Sequence, residues 1–312
     1  MFYQHDTLLV DRYKLPLGNT KIHLPSCQAG QLELKEDADR ITLRGKNFRL
    51  NVNKNKGLLE DVILGSDTLI KSGPYLNLRV PGNALQYSTI EMDDLARDWK
   101  CTNFSYSLEQ GIAILKTEGK YEKLKASFTI RIDEQGIMEI SYSSSIDSEK
   151  KTFQEAGIKF LTGNSYERIS WKRDPYFTAY PDSHPGRAVG ESILSNRPES
   201  YYRTEPEHGW EHDSRSFYYF GLEEKLPYTN EVRSLKEHIF EYALSTKSKA
   251  ELKVYSNGTH ACRFDRIQGK NTLLINEQWD YNSLLWGNYM KHIPLKKELR
   301  GKTYMALTSL SP

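Results

Sequence analysis

The sequence predicts an all-β protein built as one large antiparallel sandwich. Three observations carry that expectation. Apolar and polar residues alternate over strand-length segments, Gly-bearing turns separate those segments by a few residues, and no repeated strand–helix unit occurs. In "LKASFTIRID", Leu124, Ala126, Phe128, Ile130 and Ile132 alternate with polar positions, which is the period of a half-buried strand. "IMEISYSSSI" continues the pattern through Met138, Ile140 and Tyr142, after a "DEQG" turn that ends at Gly136.

The other elements follow in order. "DRITLRG", "NFRLNVN" and "LLEDVILG" read as a meander punctuated by Gly45 and Gly57. Later strands are "AGIKFLTG", "RISWKR", "SFYYFGL", "HIFEYALS", "AELKVYS", "HACRFDR" and "TLLINEQ". No long helix is expected; the best helical candidate is Thr89 to Trp99, with Ile90, Leu95 and Trp99 roughly on one side. A composition break over residues 24 to 37 divides the chain. Residues 1–30 are expected to be a separate segment, possible tail of an upstream domain, and residues 31–312 the β domain.

The chain's 312 residues are 38% hydrophobic, enough for a sizeable core. Its 43 basic and 41 acidic residues are well mixed and leave a net charge of +2, so neither nucleic acid nor a membrane is expected as partner. No run approaches the roughly 18 apolar residues of a membrane span. The first residues show no signal pattern, which fits a cytoplasmic start or a piece of a longer chain with its leader upstream. Cys27, Cys101 and Cys262 are widely spaced and odd in number, so buried free thiols are expected. No G-x-G-x-x-G, phosphate loop or G-x-S-x-G elbow is present, and no cofactor is expected.

"HGWEH", His208 to His212, has the spacing of a zinc motif that works only on a helix, and Pro206 and Gly209 argue against a helix there. No metal is therefore expected. Glu205, Glu207, Glu211 and Asp213 supply carboxylates, but proximity in sequence does not place two of them across a sugar, so no catalytic residue is assigned.

The aromatic loops say more. Trp171, Tyr176, Phe177, Tyr180, Tyr201, Tyr202 and Trp210 lie among Arg173, Arg187, Arg203, His184 and Asp182. Apolar ring faces beside hydrogen-bonding groups suit hydroxyl-rich ligands, although such rings also serve to cover sandwich ends. The candidate carbohydrate-binding residues are Trp171, Tyr180, Asp182, His184, Arg187, Trp210, His212, Asp213, Asn230 and Arg233. Trp210 is expected to be at least partly exposed, because Glu207, His208, Glu211, His212 and Asp213 around it resist burial.

Four motifs carry a resemblance. Gly73, Pro74, Asn77, Arg79 and Pro81 form a Gly-Pro and Asn-x-Arg strand; "WKRDPYFTAYPDSHPGRAVG", "PYTNEVRSLKEHIFEYAL" and "LLWGNYM" follow in order. From Gly30 onward the chain resembles the C-terminal β-supersandwich domain, small-chain type, of glycoside hydrolase family 2 β-galactosidase-like enzymes. It departs at "GNALQYS", where many relatives carry an acidic run. The resemblance implies a galactose-mutarotase-like fold and a non-catalytic domain. That domain lends loops to a galactoside-like sugar pocket completed by a (β/α)8 glycosidase barrel absent from this chain. Two alternatives stay open. One is an aldose epimerase drafting His184 or His212 with Glu207 or Glu211, and the other is an interdomain or oligomer scaffold.

Overall fold

The computed structural model describes residues 4–5, 8–9, 22–81, 92–147, 152–153, 155–175, 186–195, 212–214, 235–279, 293–294 and 296–309. Among them every regular element is a strand. The chain runs β1 (Gln4–His5), β2 (Leu8–Leu9), β3 (Glu33–Glu36), β4 (Arg40–Arg44), β5 (Phe48–Asn53), β6 (Leu58–Leu64), β7 (Asp67–Pro81) and β8 (Met92–Asp94). It continues through β9 (Lys100–Glu109), β10 (Ile112–Lys120), β11 (Leu124–Ile132), β12 (Ile137–Ile146), β13 (Thr152–Phe153), β14 (Glu155–Thr162) and β15 (Tyr166–Arg173). The last strands are β16 (Val189–Ser195), β17 (His212–Ser214), β18 (Lys236–Thr246), β19 (Ala250–Ile267), β20 (Lys270–Trp279), β21 (Ile293–Pro294) and β22 (Glu298–Ser309).

Eighteen of these strands join one hydrogen-bonded network, and β1–β2 and β13–β21 form separate two-stranded ladders. One layer has the order β3-β4-β5-β6-β7-β14-β20-β19. The other runs β9-β10-β11-β12-β22-β19-β18-β15-β16-β17. Strand β19 belongs to both. Its Ala250–Tyr255 half pairs with β22, and its Ala261–Ile267 half pairs with β20. "AELKVYS" and "HACRFDR", expected as two strands, are thus one bent strand. The bend falls at Asn257–Thr259, where Gly258 has φ +92° and Ser256 Oγ accepts from the Gly258 and Thr259 amides.

Alternation fills the space between the layers. Leu76, Leu78, Ile158, Phe160 and Ile275 of one layer share a single core with Phe128, Ile130, Met138 and Ile140 of the other, all 2% exposed or less. The expected all-β antiparallel class is the one observed, with β16–β17 the parallel exception.

The expected helix over Thr89–Trp99 is not formed in its described part. Met92–Asp94 pair with Arg79–Pro81 of β7 instead, and the Leu95 amide bonds to Leu78 O. Asp94 Oδ1 then accepts from the Ala96 amide and turns the chain. Leu95 and Trp99 still reach the core, but from a strand and a turn. The end of β7 beyond its pairing with β6 offered ladder bonds that three apolar residues at helical spacing could not outweigh. Residues 89–91 lie outside the described residues.

From Ile22 the N-terminal segment lies on the sandwich. Cys27 N donates to Glu139, Gln28 N to Asp133, Gly30 N to Gln110 O and Gln31 N to Glu134. All three cysteines are free; Cys262 is buried, and Cys27 and Cys101 are half-buried.

Candidate functional site

The layer containing β7, β14, β20 and β19 has two very different faces. Toward the core it presents the apolar side chains named above. On its other face lie Asn77 and Arg79 of β7, Glu155 and Lys159 of β14, Asn276 and Trp279 of β20, and Arg263 and Asp265 of β19. The register makes this a continuous row. Arg79 is opposite Glu155, which is opposite Trp279; Asn77 is opposite Gly157, which is opposite Asn276. Directly paired residues share a face, so these groups converge. A shift in register between Ala156 and Gly157 keeps both Asn276 and Trp279 on that face although they are three residues apart.

The row is charged yet buried. Glu155 and Asn276 are 0% exposed and Arg263 1%. Arg263 grips Glu155 with two donors, Nε to Oε1 at 2.6 Å and Nη2 to Oε2 at 3.1 Å. Asn77 Nδ2 donates to Glu155 Oε2 at 3.1 Å and to Asn276 Oδ1 at 2.7 Å, and Arg79 Nε stands 3.5 Å from Oε2. Asp265 binds the far side of the Arg263 guanidinium, and Asp94 pairs with Lys159. Burial alone would raise the Glu155 pKa. The charge and hydrogen bonds of Arg263, with Arg79 and Asn77, outweigh it and bring the carboxyl down to about 2. Burial dominates at Lys159 and lowers its pKa despite Asp94. A carboxylate with its oxygens held this way is an anchor for the sheet, not a proton acceptor at neutral pH.

The row ends at a less buried group. Trp279 is half-buried, and its Nε1 donates to Glu237 Oε1 at 2.8 Å. The His238 ring packs on the same indole edge-to-face, with centroids 5.2 Å apart. Adjacent strand residues normally point to opposite faces. Here both reach one indole, because His238 has φ +54° and the β18–β19 register shifts on either side of Ile239. A non-Gly residue in the left-handed region beside a register shift is a local cost that tends to be retained where a side chain must be aimed. His238 Nδ1 lies 3.1 Å from Gly258 O, which can only accept, so Nδ1 is the nitrogen that donates there.

The aromatic loop starts beside this group. The Asp174 amide donates to His238 O. Its two ends are tied together, with Trp171 Nε1 donating to Arg187 O at 2.9 Å and Arg173 Nη2 to Gly186 O at 2.6 Å. Arg187 thus contributes its backbone carbonyl to the neck of the loop.

Of the sequence-predicted site residues, Trp171 requires correction. It lies in β15, the strand expected over "RISWKR", but its ring is turned into the core and is 2% exposed. Ile169, Trp171 and Arg173 form the inward face of that strand. The indole lies over Gly190, where a Cβ would meet it at 2.5 Å, and Lys236 Nζ sits 4.3 Å from the ring centroid. His212 and Asp213, expected in a loop, belong to β17, paired in parallel with Ile193 and Leu194 at the sheet edge. Tyr180, Asp182, His184, Trp210, Asn230 and Arg233 lie outside the described residues. Among the described residues no group of His, Cys, Asp and Glu is placed to hold a metal.

Glu155, Arg263, Asn276, Glu237, His238 and Trp279 were not singled out from the sequence. Glu155 and Lys159 flank Gly157 on one face of "EAGIKFLT", and Arg263 and Asp265 alternate with Cys262 and Phe264. Such alternation reads as a solvent-facing side. The signal for the Glu237–His238 pair is a break in the period-2 pattern at the start of "KEHIFEYALS".

No family model matches the chain, and no curated protein does. Solved structures overlap it loosely. Galactose 1-epimerase from Lactobacillus acidophilus NCFM is 12% identical, with TM-score 0.43, over 89% of this chain and 98% of that one. The Slr1438 protein from Synechocystis sp. PCC 6803 is 8% identical, with TM-score 0.42, over 94% of this chain and 100% of that one. The GalM/aldose epimerase homologue from C. elegans is 9% identical, with TM-score 0.36, over 90% of this chain and 100% of that one. Overlaps this loose assign neither family nor activity.

Proposed function

We propose that this chain binds a free aldose sugar at the Trp279 end of the polar row and interconverts its anomers, as an epimerase-like protein acting on its own. The observation that carries the reading is the convergence of Glu237 and His238 on the half-buried Trp279 indole. An apolar ring face beside polar groups suits a sugar. Anomer exchange needs one group to take the proton of the anomeric hydroxyl and another to give a proton to the ring oxygen. The C1–O5 bond then breaks to an open-chain aldehyde, rotation about C1–C2 exposes the other carbonyl face, and closure returns both protons. Glu237 and His238, side by side at the indole, are the carboxyl and imidazole groups offered for those two roles. Glu155 suits neither, because its low pKa and its clamp by Arg263 keep it ionised and engaged. The polar row acts as the rigid floor on which Trp279 is set.

A second reading is favoured by the loop tied at Trp171–Arg187 and by the motif resemblance. In it the same end of the sandwich completes the galactoside pocket of a β-galactosidase-like barrel, and the chain alone is inert. Polarimetry of fresh α-D-galactose and α-D-glucose separates the two. The first reading expects the chain to speed the approach to anomeric equilibrium well above buffer. A rate equal to buffer for both sugars overturns it and leaves the second.

A further inference from the structure

On the outer face of β3–β5, away from the polar row, three guanidiniums line one groove. Arg40 and Arg44 point outward from β4, since Ile41 and Leu43 between and beside them are in the core; Arg49 points outward from β5 between buried Phe48 and Leu50. Arg44 and Arg49 are directly opposite in the ladder. Like charges in that position repel; Glu33 of β3 is opposite Arg44 on its other side, yet none of the three arginine side chains makes an ion pair or hydrogen bond among the described residues. The groove, of about 740 Å³, also takes in Lys35, Thr42 and Asn51. Its two carboxylates, Glu33 and Asp37, leave a surplus of positive charge against four cations.

We infer that this groove is a binding surface for an acidic polysaccharide, one bearing sulfate or uronate groups. The Arg44–Arg49 pair gives one anion position with guanidinium forks on both sides. Arg40 gives another, four strand residues away, or roughly 13 Å at strand rise. That spacing calls for a chain with repeated anions in place of a single phosphate. Thr42 and Asn51, paired across the two strands between those positions, supply hydroxyl and amide groups for neutral sugar oxygens. Among the described residues no aromatic side chain lines the groove, and none there is offered for stacking a nucleobase.

The test is affinity electrophoresis of the whole chain in gels cast with dextran sulfate, polygalacturonate or neutral dextran, at low and moderate salt. Retardation by at least one acidic polymer and not by neutral dextran is expected, weakening as salt rises. The sulfate and uronate gels tell the two anion chemistries apart. Arg44→Gln/Arg49→Gln is expected to weaken retardation at least tenfold, and Arg40→Gln less. The double variant should melt no lower than wild type, because a repulsive pair is removed. No retardation by either acidic polymer, or equal retardation of the double variant, overturns the proposal. Tighter binding of a single-stranded DNA oligomer, lost in the same variant, overturns the polysaccharide assignment. Galactose turnover in the polarimeter is untouched by these variants, so this surface and the Trp279 end succeed or fail separately.

Discussion

Glu155→Gln removes one charge from the middle of the polar row. The carboxylate is 0% exposed and accepts two hydrogen bonds from Arg263 and one from Asn77, with Arg79 3.5 Å away. Glutamine keeps one oxygen and sets an NH2 group against guanidinium donors. Two arginines are then left beside each other with half their compensation gone. Breaking a buried pair from one side costs about 3–5 kcal/mol. The depressed pKa gives an independent figure. A fall from the ordinary 4.5 to about 2 corresponds to about 3 kcal/mol at 1.36 kcal/mol per pH unit. The sign is that of a depressed carboxyl: the contribution is complete above pH 4.5 and is lost as pH falls toward 2. Roughly 2 kcal/mol of it has gone by pH 3. Urea unfolding of both proteins, followed by Trp fluorescence at pH 7, 5, 4 and 3, reads both effects. Wild type should exceed the variant by 3 kcal/mol or more at pH 7, and the gap should narrow by about 2 kcal/mol at pH 3. A gap below about 1 kcal/mol, or one independent of pH, refutes the account of Glu155 as an ionised anchor.

Trp171→Phe keeps most of the buried ring but deletes the donor to Arg187 O; a loss of about 1 kcal/mol in urea unfolding is expected, and an unchanged midpoint would show that the bond does not hold the neck. Gly111→Ala should cost about 2 kcal/mol or more, since φ is +75° and a Cβ would lie 1.8 Å from Gly30 O; a melting curve like wild type would mean that the N-terminal segment is not held there. Dialysis against a chelator should leave the melting temperature unchanged, since Pro206 and Gly209 oppose the helix that the His208–His212 spacing needs to hold zinc; a drop restored by zinc would contradict that expectation.

Strand positions were legible because alternation is a local signal: Leu124 to Ile132 and Met138 to Tyr142 lie in β11 and β12 with the expected faces inward. The helix over Thr89–Trp99 was misread because Leu95 and Trp99 do pack against the core, but from a strand paired with β7 and the turn after it, which no local pattern reveals. Trp171 reads as a ligand-facing ring because the aromatic loop follows it, whereas alternation with Ile169 and Arg173 in the expected strand turns the ring inward. The polar row was hidden by the same rule that found the strands. A charge on every second residue looks solvated until the register sets Glu155 against Arg79 and brings Arg263 across from β19. The Glu237–His238 pair depends on one positive φ, and β propensity offers no hint of it.

The most direct test of the central claim is the rate of galactose anomer exchange by wild type, Glu237→Gln and His238→Gln, measured by polarimetry at neutral pH on proteins shown to share one melting temperature. Wild type should accelerate exchange, and each variant should lose about 10²-fold or more, the usual worth of a positioned proton-transfer group. Wild-type rates in both variants, or no acceleration by any of the three, would contradict the assignment of the Trp279 end as a sugar site with its own acid–base pair.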